Sequence, residues 1–535
     1  MKDQIEKQHL SLLKILSQKN ITSSEDFLFW KQKISRQLKT QTPDNLLLEK
    51  IYNQLKNKKL IKKISFLDKK IKKRPIRSLS GVAVVSVLTK PFPCPGHCLF
   101  CPTEKNLPKS YLSGEPAVER AKTFAFNPYN QVRSRLETLE KIGHPTDKIE
   151  LIVIGGSWSS LPTNYQIWFI KECFRAANDQ KIRKSLPLRP QQDVLSLKRE
   201  HAKNEKASHR LIGITVETRP DLINQQEILK MRDLGCTRVE LGVQIIDDDI
   251  LKYNRRGSTT HDLIRATKLL KNAGFKICYH LMTGLPKSTL KKDINSFKKI
   301  FSSEKYRPDM LKIYPCVVTK NSDLYSLWKN KKYRPYGDKA LIELLAMLKT
   351  LIPPYVRVNR VFRDIPSNLI FAGCKISNLR EKVQSCLRQT GKKCHCIRCR
   401  ETKNLKFSHL SLSKIVYQAS DGLEIFLSYE NKKENKLAAF LRLRLPKEPT
   451  TYIEVLSQKT ALIRELHTYG QLIPIGESGR ASQHQGLGKL LMKEAEKISE
   501  EKGYKKIAVI AGVGVRDYYR KLGYKLGGTY MTKNI

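Results

Sequence analysis

The chain has 535 residues, too many for one hydrophobic core, so roughly three or four folding units are expected. It carries 100 Lys plus Arg against 50 Asp plus Glu, a formal net charge of +50. That surplus destabilises a compact state by self-repulsion unless a polyanion neutralises it, and nucleic acid is the first suspect. Hydrophobic residues make up 40% and aromatics 8%, which excludes global disorder. No apolar run approaches about 18 residues, so no membrane span is expected. The N-terminus MKDQIEKQHLSLLKILSQKN lacks a signal-peptide pattern. A cytoplasmic chain with twelve Cys points to metal or catalysis rather than disulfides.

Residues 1–75 lack Gly, and Leu10, Leu13, Leu16, Leu46, Ile51 and Leu55 recur at helical spacing. Residues 56–74 hold nine Lys and one Arg against Asp68, interleaved with Leu60, Ile61, Ile64, Phe66 and Leu67. This reads either as a solvated helix face or as a basic helical arm that contacts phosphates. Residues 76–370 alternate helical stretches with short β-branched runs: 81–88, 149–156, 211–217, 237–244, 275–285 and 309–316. That alternation predicts βα units, a parallel sheet and a complete or partial (β/α) barrel with its chemistry at the strand C-termini. The polar stretch 181–209 reads as an inserted loop. Residues 371–405 hold five of the twelve Cys and read as a metal-binding linker. From 406 to 535 a further α/β unit is expected.

The first cysteine group is PFPCPGHCLFCPTEK, with Cys94, Cys98 and Cys101 spaced C-x3-C-x2-C just after a predicted strand. Three thiolates on one loop can hold three irons of a four-iron cluster and leave the fourth open. An incomplete zinc site is the plain alternative. The spacing, Phe100 and the strand context resemble the radical S-adenosylmethionine superfamily. That resemblance implies a [4Fe-4S] cluster whose open iron chelates S-adenosylmethionine, and reductive cleavage to a 5′-deoxyadenosyl radical. It also places Gly155 and Gly156 near the cofactor and makes Glu217 and Arg219 candidate cofactor contacts. A salt bridge at the barrel mouth is the plain reading of the last two.

Near the C-terminus, residues 483–488 read Gln-His-Gln-Gly-Leu-Gly ahead of a predicted helix. Backbone N–H groups of such a loop face a pyrophosphate, and the helix N-terminus adds its dipole. With a strand on either side and RDYYRKLGY beyond, the segment resembles GNAT acetyl-CoA-dependent N-acetyltransferases.

Together, RELHTYG, QHQGLGKLLMKEAEKI, KIAVIAGVG, YYRKLGYKLGGTYM, SGEPAVERA, IGITVETRPD, CTRVELGVQ, LKIYPC and RVFRDIP resemble the catalytic third subunit of Elongator, of standalone bacterial or archaeal type. The resemblance runs from about residue 76 to 535 and implies tRNA wobble uridine (U34) modification. In that family the radical removes a hydrogen from the acetyl methyl of acetyl-CoA, and the carbon radical adds to C5 of the uridine. Thioester hydrolysis then leaves 5-carboxymethyluridine. The motif match implies acetyl-CoA contacts at Glu465, Leu466, His467, Thr468, Gln483, Gly486, Leu487, Gly488, Lys489, Tyr518 and Tyr519, with Tyr519 also catalytic, and at Lys148 from the barrel side. Two places depart from the family pattern: Cys101-Pro102-Thr103-Glu104, and Asn254-Arg255-Arg256-Gly257-Ser258-Thr259, which lacks a His.

In GKKCHCIRCRE, Cys394, Cys396 and Cys399 form C-x-C-x2-C. A closed zinc site needs a fourth ligand. The resemblance implies structural zinc here. Cys316 is the first choice for the fourth ligand because it would staple the linker to the barrel, and Cys386 and His395 follow. Cys173, Cys236, Cys278 and Cys374 are isolated and read as core. The implied partner is the tRNA anticodon loop. A homodimer stays an open option, and no other Elongator subunit is implied. Two rivals remain: a protein lysine acetyltransferase with a structural iron–sulfur domain, and a non-enzymatic RNA-binding protein with decayed domains.

Overall fold

The computed structural model describes residues 11–19, 21, 24–38, 42, 48, 51, 52, 55, 81–180, 193–402, 410–469 and 486–535. The Lys-rich run 56–74 and Gln483 lie outside the described residues. The chain divides into two compact units. In the smaller, α1 (Ser24–Gln37) contributes Ile34 to an apolar cluster with Leu12, Leu13, Leu16, Ile51, Tyr52 and Leu55. The helical spacing of Leu13, Leu16, Ile51 and Leu55 therefore marks a packed face; Leu10 and Leu46 lie outside the described residues.

The larger unit holds two seven-stranded sheets and a two-stranded one. The first large sheet contains β1 (Ala83–Leu88), β2 (Lys148–Ile154), β3 (Arg210–Thr218), β4 (Arg238–Gln244), β5 (Lys276–Thr283), β6 (Met310–Pro315) and β8 (Arg357–Arg360). All neighbours are parallel and follow chain order. Parallel pairing requires a crossover between strands, and helices supply it. Among them are α2 (Thr163–Asn178), α3 (Asp193–Asn204), α4 (Gln225–Asp233) and α5 (Thr260–Asn272). Each of the last two starts where the sequence offers a cap. Asn224 accepts from the Glu227 N–H, and Thr259 with Asp262 forms a capping box. The predicted strands are all present. The expectation of a loop over 181–209 is corrected: 193–204 is helical, because Asn178 donates to Glu200 and accepts from Asn204, tying α3 to α2. Residues 181–192 lie outside the described residues.

The short β7 (Val318–Thr319) and β9 (Ile370–Ala372) pair antiparallel. Next come α6 (Leu379–Gln389) and α7 (Ile397–Arg400). The second large sheet runs β10 (Ser411–Gln418), β11 (Gly422–Asn431), β12 (Lys436–Pro446), β13 (Thr460–Thr468), β14 (Lys506–Val509), β16 (Tyr530–Asn534), β15 (Lys525–Gly527). Only β13 and β14 pair in parallel within it. The helix α8 (Leu487–Glu501) lies between them in the chain and buries Leu487, Leu491, Met492, Ala495 and Ile498. The short α9 (Arg516–Arg520) follows.

The second sheet docks where the parallel strands begin. Arg464 on β13 donates to Asp309, just before β6, and to Glu424 on β11, each at 2.9 Å. Arg444 reaches Glu424 at 2.9 Å and Asn272 at 3.0 Å. Arg442 binds Glu465 at 2.8 Å and lies 3.7 Å from Asp309. Lys271, at the end of α5, lies 3.5 Å from Glu424. All these charged side chains are buried. Gly512 completes the contact: a Cβ there would stand 2.0 Å from the Ile212 carbonyl oxygen. Four buried cations thus meet three carboxylates. Burial pulls Lys271 down to about 8, with Glu424 opposing and Arg464 adding to the fall.

Arg464→Met leaves Asp309 and Glu424 undercompensated and is expected to cost about 3–5 kcal/mol in chemical unfolding. Lys271→Met is expected to be neutral or stabilising. The Lys271 pKa in the folded chain lies below the free value of about 10.4. The native protein therefore gains stability as pH rises from 8 toward that value. The advantage of K271M is largest below pH 8 and shrinks above it.

Candidate functional site

The cysteine loop follows the C-terminal end of β1. Cys98 is buried, and Cys94 and Cys101 are half-buried. Backbone bonds hold the loop: Leu99 N–H to the Asn254 carbonyl at 3.1 Å and Thr103 N–H to the Asn321 carbonyl at 2.7 Å. Cations surround it. Arg256 Nη1 lies 3.7 Å from Cys98 Sγ, and Lys109 Nζ donates to the Gly96 carbonyl at 3.0 Å. Burial and the neighbouring Cys98 push the Cys101 thiol up to about 11, opposed by Arg363 and Lys109. A cavity of about 440 Å³ opens onto Cys98 and Cys101, with His97, Lys109, Lys320 and Asp323 in its wall. Arg256 sits in the segment that departs from the family pattern; sequence reasoning missed its contact with Cys98.

The next two strands end beside this loop. Gly155 and Gly156 follow β2 with φ +134° and +94°, and a Cβ on Gly155 would stand 2.1 Å from the Thr89 hydroxyl. Glu217 ends β3's lumen face. It accepts from Tyr111 at 3.0 Å and Lys312 at 3.2 Å, so the predicted salt bridge is present with Lys312 as partner. Arg219 is buried and grips Asp221 at 3.0 Å. Its Nη1 has no hydrogen-bond partner among the described residues. That nitrogen points at the cysteine loop, since a Cβ on Gly96 would stand 2.2 Å from it. A buried, unpaired guanidinium nitrogen beside three thiols suits a carboxylate-bearing ligand.

Deeper in the barrel lies a charged lumen that sequence reasoning missed. Lys312 bridges Glu217 and Glu240. Glu240 also accepts from His280 at 2.7 Å and lies 3.6 Å from Arg238, which pairs with Glu150. Burial pushes Glu240 up, but Lys312, His280 and Arg238 outweigh it and hold the carboxyl well below its ordinary range. The available signal was a charge inside an apolar strand, as in MLKIYP.

On the second sheet, β13 carries Glu465, Leu466, His467 and Thr468. Glu465 is tied to Arg442 and lies 3.7 Å from Lys276 at the start of β5. His467 is pulled down to about 4, chiefly by burial. It stacks on Phe440 and contacts Tyr469, and its Nε2 has no partner among the described residues. Leu466, Thr468 and Tyr518 converge on Gly488: a Cβ there would meet the Tyr518 hydroxyl at 2.8 Å and the other two at 3.8 and 3.9 Å. Gly486 caps α8 in the left-handed region at φ +75°. Leu487 is core and Lys489 is exposed. Lys148 begins β2 opposite Arg210, on the side where the second sheet docks. Tyr519 packs in the core cluster with Leu487, Ala495 and Tyr524, and the neighbouring Tyr518 hydroxyl stands against Gly488.

Cys394, Cys396 and Cys399 bring their sulfurs within 4.8 Å of one another. The Ile397 N–H donates to the Val356 carbonyl at 2.9 Å, which ties this loop to the region before β8. Hydrogen bonds from the Cys394 and Cys399 thiols hold Cys396 well below the usual thiol range. The structure does not bring Cys316 to them. It is buried among Ile245, Leu285, Val318 and Tyr333 at the other end of β6, so the expected staple is not made. Neither Cys386 nor His395 joins the group, and no fourth His, Cys, Asp or Glu does so among the described residues.

Residues 93–299 match the radical SAM superfamily, 308–389 the Radical_SAM C-terminal domain, and 399–524 the acetyltransferase (GNAT) family. The fold is a radical SAM partial barrel of parallel strands joined to a C-terminal GNAT domain. The chain is 44% identical to the tRNA uridine(34) acetyltransferase of Methanocaldococcus infernus, over 90% of this chain and 91% of that one. It is 39% identical to Elongator complex protein 3 of Saccharomyces cerevisiae, over 88% and 86%. The solved archaeal Methanocaldococcus infernus Elp3 with an N-terminal deletion superposes with TM-score 0.74 at 43% identity, covering 85% of this chain and all of that one. The chain therefore belongs to the family of tRNA uridine(34) acetyltransferases and Elongator complex protein 3.

Gly155→Ala combines an unfavourable φ with contact against the Thr89 hydroxyl and backbone, whereas a Cβ on Gly156 meets only the Lys109 carbonyl at 3.7 Å. G155A is expected to lose about 1–3 kcal/mol and more than G156A, measured by denaturant titration.

Proposed function

We infer that this protein modifies the wobble uridine, U34, of tRNA, using S-adenosylmethionine and acetyl-CoA to form 5-carboxymethyluridine. The observation that carries this reading is the barrel's position between two sites. The cysteine loop stands at the C-terminal strand ends, and the GNAT strand β13 meets the N-terminal ends through Asp309 and Lys276.

Cys94, Cys98 and Cys101 would hold a [4Fe-4S] cluster, and thiolate chemistry with an open coordination position fits it. With S-adenosylmethionine bound, the cluster supplies the radical-forming step. The unpaired Arg219 nitrogen would hold the cofactor's carboxylate, with the Cβ-free Gly155 and Gly156 at the end of β2 lining the same site. Glu217 holds Lys312 and Tyr111 in place. The first turn of α8, with Gly486, Leu487, Gly488 and Lys489, presents N–H groups to the acetyl-CoA pyrophosphate; Gln483 completes that loop in the family motif. Leu466, Thr468 and Tyr518 wall the thioester arm, with Glu465 and His467 alongside on β13 and Lys148 facing it from β2. Cys394, Cys396 and Cys399 are a structural zinc site, supported by the convergence of their three sulfurs. The basic residues 1–75 bind tRNA phosphate, 76–370 form the radical domain, 371–405 the zinc linker and 406–535 the acetyltransferase, in a cytoplasmic protein. No helix among the described residues is long and apolar enough to cross a membrane. A lysine acetyltransferase is disfavoured, because the β13 carboxylate, Glu465, is committed to Arg442 and Lys276 rather than free as a base.

Mass spectrometry of tRNA nucleosides tests the reading. Deleting the gene, or replacing Cys94, Cys98 and Cys101 with Ala, is expected to remove the carboxymethyl-derived wobble uridine; an unchanged nucleoside profile overturns it. The Ala variant of Cys394, Cys396 and Cys399 is expected to lose zinc and thermal stability while its iron content persists, read by elemental analysis and melting.

A further inference from the structure

The lumen contains a second constellation with the geometry of an acid–base pair. Glu240 is buried, and its carboxylate is ionised, so it only accepts hydrogen bonds. The 2.7 Å contact with His280 therefore places the imidazole hydrogen on Nε2. In that tautomer Nδ1 is the nitrogen with the lone pair. That atom has no hydrogen-bond partner among the described residues, and the side chain keeps 15% of its surface open. A carboxylate that fixes an imidazole tautomer while the other nitrogen stays unbonded on a partly open side chain is the arrangement of a general base.

Its position matters as much as its chemistry. Lys276, which begins β5, lies 3.7 Å from Glu465 of the GNAT strand. His280 follows on the same strand face, roughly 13 Å further toward the mouth at about 3.3 Å per residue. Lys312 is its partner in register on β6. The pair thus stands between the acetyltransferase strand and the cysteine loop. Cys278 also converges on Glu240 and His280, but Lys312 and Arg238 already supply that carboxylate's cations.

We propose that His280, oriented by Glu240, is the general base that activates water to cleave the acyl thioester inside the barrel. The proposal rests on the reading that an acetyl-CoA thioester enters this lumen from the GNAT side. Nδ1 takes a proton from water as the water oxygen bonds to the acyl carbon. Lys312 stabilises the charge that develops on the acyl oxygen. The carbon–sulfur bond breaks, and the proton passes from His280 to the departing sulfur. The products are a carboxylate, a free thiol and one proton released to solvent; no electron is exchanged. His280 is the catalytic residue, and Glu240 is a positioning residue that acts through it.

The test uses the full-length holoenzyme with acetyl-CoA and unmodified tRNA, and follows release of free CoA thiol. His280→Ala is expected to slow thiol release by roughly 10²-fold, with acetyl-CoA affinity and 5′-deoxyadenosine formation unchanged. Added imidazole is expected to restore part of the rate in H280A, which a structural role would not allow. Glu240→Gln is expected to lower the maximal rate without raising the acetyl-CoA KM and without rescue by imidazole. It also serves if H280A fails to fold. An undiminished rate in either variant, a loss that tracks lost acetyl-CoA binding, or no gain from imidazole in folded H280A overturns the proposal. A natural protein that releases thiol but leaves tRNA unmodified sinks the wobble-uridine reading instead.

Discussion

Asp309 opens β6 with no exposed surface, and Arg464, Arg442 and Lys271 all face it. Glu424 shares Arg464 with it and takes Arg444 as well. Buried pairs of this kind add little net stability, because desolvation cancels most of the Coulomb gain. Their effect lies in what they forbid. A guanidinium on β13 that misses Asp309 is left charged and unpaired in a low-dielectric interface, at a cost of several kcal/mol on the order seen for broken buried pairs. The GNAT sheet therefore has one docking position, and the placement of Glu465, His467 and Gly488 relative to the barrel follows from it.

That docking gives the barrel two working ends. In parallel βα architectures the C-terminal strand ends carry the chemistry, because there the loops are free to vary. Here the cysteine loop, Gly155 and Glu217 occupy that end. The N-terminal end, ordinarily a stability face, here carries a second domain. Between them the strands carry Glu150, Arg238, Glu240, His280, Lys312 and Glu217 in place of the branched apolar layers of a closed barrel. Retaining so many buried charges is costly unless each is paired, and the network pairs them strand to strand.

The twelve cysteines divide by surroundings rather than by number. Cys94, Cys98 and Cys101 share a loop that Arg256, Lys109 and Arg363 approach, and the last two oppose the burial that raises Cys101. Cys173, Cys236 and Cys278 are fully buried, and burial alone is the leading cause that pushes their thiols up. Cys316 belongs with them in behaviour, locked against Tyr333.

Much was legible in the chain because its causes are local. Strand runs of β-branched residues, leucines at helical spacing, and C-x3-C-x2-C or C-x-C-x2-C spacing each describe residues that meet within a turn or a loop. Six parallel strands, both cysteine groups and the glycine-capped helix could therefore be read directly. What only the tertiary structure decided depends on residues far apart in sequence. The 193–204 segment is polar, yet it is a helix because its Glu200 and Asn204 bind across to Asn178. Tyr518 and Tyr519 are adjacent, and only packing places Tyr519 in the core cluster beside Tyr524 and Tyr518 against Gly488. Cys316 could be paired with the linker on paper, but β6 carries it away from Cys394. Lys312, Glu240 and His280 lie on three strands, and Asp309 and Arg464 on two domains. No local pattern links such residues, because their free energy comes from desolvated charges meeting only after the sheets have formed.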